Sequence, residues 1–60
     1  MHSESQWRYR AYRNGLRLVK YKQSSPAYAK WGPYALVDQS TNKLVAMNLD
    51  AQAVEQALFA

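Results

Sequence analysis

Arg8, Arg10 and Arg17, with Tyr12 and Tyr21, are the residues of this chain whose types and spacing could do chemistry. That chemistry is recognition. An arginine fork matches phosphate oxygens, and a tyrosine ring stacks on an unpaired base. Arg13, Lys20 and Lys22 add charge to the same stretch, and Trp31, beside Lys30, adds a further ring. No reaction centre can be assembled from the remainder. A nucleophile needs a base and an orienting group close by. The one histidine, His2, sits beside the N-terminus, and there is no cysteine. Disulfides and thiolate metal sites are therefore ruled out. Asp38, Asp50 and Glu55 have plain structural places in a turn, at a helix cap and on a helix face. Gly15 and Gly32, each in a turn, cannot make a glycine-rich phosphate loop. The expectation is a protein that is not an enzyme and uses no cofactor or metal.

The charge is lopsided. Residues 1–30 hold seven of the eight basic side chains against Glu4 alone, a net of +6, whereas residues 31–60 carry a net of −2. A basic half attracts phosphates or an acidic partner. Three readings of that half stay open. It is a solvated face, stabilised by cross-strand Arg–Tyr pairs worth roughly 0.2–1 kcal/mol each. Or it contacts nucleic acid. Or it meets an acidic protein, as a small interaction or inhibitory module of the phage- or plasmid-accessory kind would. The residue order carries none of the RNA-recognition, cold-shock or zinc-finger signatures.

These residues must be positioned by a domain of only 60 residues. Its 48% apolar and 20% charged content argues for a folded chain. No apolar run approaches the ~20 residues of a membrane span, and no leader peptide is evident, so the expected setting is the cytoplasm, away from membranes. Residues 1–5 read as a flexible N-terminus and residues 6–60 as one α+β domain.

Asn14-Gly15 is a strong short-range hairpin signal, because a type I′ turn needs positive φ at both central positions. It predicts strands from Trp7 to Arg13 and from Leu16 to Lys22. Strand alternation then gathers Trp7, Tyr9, Ala11, Leu16 and Leu18 on a core face. Arg8, Arg10, Tyr12, Arg17, Val19 and Tyr21 fall on the other. Gln23 to Pro33 reads as a loop, broken by Ser24-Ser25-Pro26 and Trp31-Gly32-Pro33. Its rings, Tyr28 and Trp31, either fold back over the core edge or stand out as contact residues.

Tyr34–Val37 and Leu44–Met47 form a second predicted hairpin, with Asp38 opposite Lys43. Tyr34, Leu36, Val45 and Met47 make its larger face, the one expected against a helix. Asp50 then caps a short C-terminal helix whose stripe is Val54, Ala57 and Leu58. The expected order is β-β-β-β-α. An open sheet leaves edges, so a homodimer through an exposed edge is also expected to be accessible.

Overall fold

The first element is a helix, and its signals are local. Ser3 Oγ accepts from the Gln6 N–H at 3.3 Å, while the Gln6 side chain accepts from the Ser3 N–H at 2.8 Å. This reciprocal capping box satisfies two of the donors that a helix start leaves unpaired. Glu4 stands at the positive end of the dipole, and Arg10 and Arg13 stand at the negative end. The helix stops at Asn14-Gly15. The Asn14 N–H bonds back to the Arg10 and Ala11 carbonyls, and Gly15 turns the chain at φ +74°.

In the computed structural model, which describes residues 1–60, the order is α1 (Glu4–Arg13), β1 (Leu16–Lys20), α2 (Pro26–Trp31), β2 (Tyr34–Asp38), β3 (Leu44–Leu49) and α3 (Ala51–Phe59). The expected first hairpin is therefore corrected. Asn14-Gly15 ends a helix rather than joining two strands, and the sheet has three strands instead of four. β1 pairs antiparallel with β2, Leu18 opposite Leu36, and β2 pairs antiparallel with β3. The 23–33 loop is corrected too. Ser25 caps α2 through a bond from the Ala27 N–H, and Pro26 stands at the first helical position, where its missing donor costs nothing.

The second hairpin and the C-terminal helix form as expected. The Asp38 N–H bonds to the Lys43 carbonyl at 2.8 Å. Asp50 accepts from the Ala53 N–H at 2.8 Å, and Val54 and Leu58 are buried. One face of the sheet receives α1 and α3, so that Trp7, Ala11, Leu18, Leu36, Val54 and Leu58 make the core. Register shifts in β2–β3 change which β3 residues reach it. Each shift adds a residue to one strand and exchanges faces beyond it. Ala46 and Leu49 therefore pack inward, while Val45 and Met47, expected inside, are 57% and 49% exposed.

The two glycines differ in what an added methyl group would meet. At Gly15 a Cβ has nothing within 4 Å, so only the positive φ opposes it. At Gly32 it would lie 3.0 Å from the Tyr28 Cα and carbonyl oxygen and 3.1 Å from the Tyr21 Cβ. Gly15→Ala is expected to cost about 1–2 kcal/mol and Gly32→Ala about 1–3 kcal/mol, read as shifts of the urea midpoint. Asparagine separates the causes. It tolerates the left-handed region, so Gly15→Asn should recover most of the loss and Gly32→Asn none. Equal losses for both asparagine variants would refute this distinction.

Candidate nucleic-acid interface

At about 3.6 residues per turn, the burial of Trp7 and Ala11 fixes how α1 is rolled on the sheet. Arg8 and Arg10 fall on its two shoulders, and Tyr9, Tyr12 and Arg13 fall on its outward crest. The shoulders act as straps. Arg8 Nη1 donates to the Leu18 carbonyl of β1 at 3.3 Å, and Arg10 Nε donates to the Leu58 carbonyl of α3 at 3.0 Å. Leu58 O is one of the carbonyls that the end of a helix leaves unpaired, and a cation there also suits the helix dipole. The Arg10 guanidinium lies 4.9 Å from the centre of the Phe59 ring.

A groove borders the crest on each side. On the α3 side, a cleft of about 540 Å³ is lined by His2, Ser5, Gln6, Tyr9, Arg10, Arg13 and Phe59. On the β1 side, a cleft of about 300 Å³ is lined by Arg8, Tyr12, Leu16, Arg17, Leu18 and Gln39. Each holds two arginines and a tyrosine, and no carboxylate lines either one. Arg17 is steadied by a bond from its Nη2 to Asn42 Oδ1 at 2.8 Å.

The wall of the larger groove is built from the N-terminus. The His2 N–H donates to both carboxylate oxygens of Glu55, at 3.1 and 3.3 Å, and the His2 ring bonds to the same carboxylate. The ring stacks on Phe59 with centres 3.6 Å apart. Trp7 Nε1 donates to the second Glu55 oxygen at 2.5 Å. Partial desolvation pushes the Glu55 pKa up, but the bonds from the His2 ring, the Trp7 indole and the His2 N–H outweigh it and bring the pKa down to about 2.

The residues singled out in the sequence are thus divided among three places. Arg8, Arg10, Tyr12 and Arg13 share α1, and Arg17 joins them across the smaller groove. Lys20 pairs instead with Glu4 at 3.2 Å, as Arg8 also does through its Nη2. The Lys20 bond is the largest influence on the Glu4 carboxyl and holds its pKa below the usual value. Tyr21 packs against Trp31, ring centres 6.3 Å apart, beyond the far end of β1. Lys30 covers the Trp31 ring at 4.8 Å, and Lys22 is exposed nearby. Tyr12 and Tyr21 therefore do not share a face, as the hairpin reading required. Tyr9, Gln6, His2 and Phe59 belong to the site and were not among those candidates. The signal for them was the Ser3–Gln6 capping box, which makes the segment a helix and turns Tyr9 outward.

The two sheet edges are unlike. Carbonyls of β1 are covered by side chains, Leu16 O by Gln39 Nε2 at 3.1 Å and Leu18 O by Arg8. The uncharged β3 carries no such cover, and Leu44, Val45 and Met47 are exposed along it. No helix is long and apolar enough to cross a membrane, and no group of histidine, cysteine or acidic side chains is arranged to hold a metal ion. Comparison with protein-family models, curated proteins and solved structures gives no match.

Proposed function

We propose that this chain is a small non-enzymatic binding module that contacts nucleic-acid phosphates through α1 and the grooves beside it. The observation that carries this reading is the pairing of two arginines in each groove with no carboxylate among the lining residues. Arg10, Arg13 and Arg17 have no acidic partner within the chain, and an arginine fork can pair with two phosphate oxygens at once. Strapping Arg10 by its Nε alone lowers the entropy lost when its remaining N–H groups bind. Lys20, Tyr21, Lys22 and Trp31 lie outside the proposed contact.

Fluorescence anisotropy with labelled oligonucleotides at two salt concentrations tests it. Affinity should fall steeply with salt through counterion release. Arg13→Ala/Arg17→Ala should weaken binding, and loss of the Arg17 phosphate contact should make the salt slope shallower by about 1. Neither side chain reaches the core, so circular dichroism should show the variant folded. Affinity that is flat with salt, or equal in a folded variant, would overturn the proposal and turn attention to an acidic protein partner.

A further inference from the structure

We infer that the nucleic acid is duplex DNA and that α1 enters its major groove. This inference rests on the reading above and adds the form of the ligand. The first argument is shape. Tyr9 and Tyr12 are 63% and 65% exposed on a convex crest, about 60° apart around the helix axis, so their rings diverge. Single-strand binders offer the opposite, a concave track with open rings on which successive bases lie. Several of the other rings are already occupied. Phe59 is covered by His2 and approached by Arg10, and Tyr21 packs on Trp31.

The second argument is size. α1 has 10 residues, which makes it about 15 Å long and, with side chains, about 10–12 Å across. The B-form major groove is about 12 Å wide and about 8.5 Å deep and admits a helix. The A-form groove of double-stranded RNA is deep and narrow and does not.

The third argument is the placing of charge. The walls of a major groove are its two phosphate strands. Arg8 and Arg17 lie on one side of the crest and Arg10 on the other, as a helix seated between two strands requires. Arg10 uses only its Nε within the chain, which leaves its terminal nitrogens free for phosphate. Arg13, on the crest between Tyr9 and the larger groove, is positioned to reach base edges. An arginine there pairs in bidentate fashion with O6 and N7 of guanine.

The experiment compares a labelled 16-base-pair duplex (about one and a half turns) with each of its single strands, then selects preferred sites from a randomised duplex pool. The duplex should bind more tightly than either strand. Arg13→Ala should lose roughly 5- to 150-fold at the selected site and lose preference at a guanine position, whereas Arg17→Ala should weaken all duplexes evenly. Methylation of guanine N7 at that position should interfere with binding. Tighter, salt-sensitive binding to a single strand would overturn the duplex inference and leave the nucleic-acid reading standing. Duplex binding that is indifferent to N7 methylation and to Arg13 would remove α1 from the major groove. No binding to either form would overturn both.

Discussion

Trp7→Ala should remove a large share of the domain's folding stability. Trp7 is 4% exposed. Its ring meets Tyr34 edge-on at 5.5 Å and 84°, and its indole N–H is bonded to Glu55. Truncating a buried aromatic side chain costs roughly 3–5 kcal/mol. A domain of this length has a total stability of roughly 3–9 kcal/mol. The loss is concentrated because α1 buries only Trp7 and Ala11. Without the indole, α1 has little apolar hold on the sheet, and a ten-residue helix does not persist alone. Urea titration followed by far-ultraviolet circular dichroism measures the loss. Trp7→Phe should retain most of the packing while losing the bond to Glu55, and so fall between the two. A Trp7→Ala protein within about 1 kcal/mol of wild type would mean that α1 is held by its arginine straps and caps rather than by the core. The proposed contact depends on the same hold, since both grooves exist only while α1 lies on the sheet.

The α1 segment carries signals for a strand as well as for a helix. Asn-Gly supplies positive φ, which a type I′ turn and the end of a helix both require. Trp7 and Ala11, four residues apart, share a face in a strand and in a helix alike, so their burial is compatible with either. Tyr9 is the residue that discriminates, because the strand period turns it inward and the helix period turns it out. Ser3 and Gln6, at the other end of the segment, decide for the helix through their capping box. The same holds for Ser25-Pro26, which opens α2 but also reads as a breaker.

The second hairpin and α3 were legible because their signals agreed. Polar turn residues separated two apolar runs, and Asp50 preceded a clear apolar stripe. The bulges in β3 were not legible, since an inserted residue leaves no mark when Leu44, Val45, Ala46 and Met47 are all apolar. Of the candidate site, the arginines of α1 and Arg17 were visible as a charge cluster. Their division into straps and free groups depends on which carbonyls of β1 and α3 lie beside them, and that is a property of the tertiary arrangement.

Acidification should reveal Glu55 as the hub that ties the N-terminus, α1 and α3 together. In the folded chain its carboxyl has a pKa of about 2, against an ordinary value of 4.5. Burial raises it, and the bonds from His2 and Trp7 more than reverse that. The folded state therefore keeps the carboxylate ionised where the unfolded state has already taken up a proton. Stability from these bonds is fully present above about pH 4.5 and declines as the pH falls toward about 2, with a slope approaching one proton. Glu4 and Asp38 also have lowered pKa values. Glu4 is held down chiefly by the bond from Lys20, and Asp38 chiefly by the Ser40 hydroxyl, then by the Thr41 and Ser40 N–H groups. Wild type will therefore lose stability in acid for more than one reason, and the informative quantity is a difference. Glu55→Gln cannot ionise and accepts the same bonds more weakly. It should be less stable than wild type at neutral pH, and the gap should close between pH 4.5 and about 2, as urea midpoints of both proteins would show. The slopes from Glu4 and Asp38 are common to both and cancel. A gap that stays constant down to about pH 2 would show that Glu55 is not held ionised by these contacts, and that His2 and Trp7 are positioned without its charge.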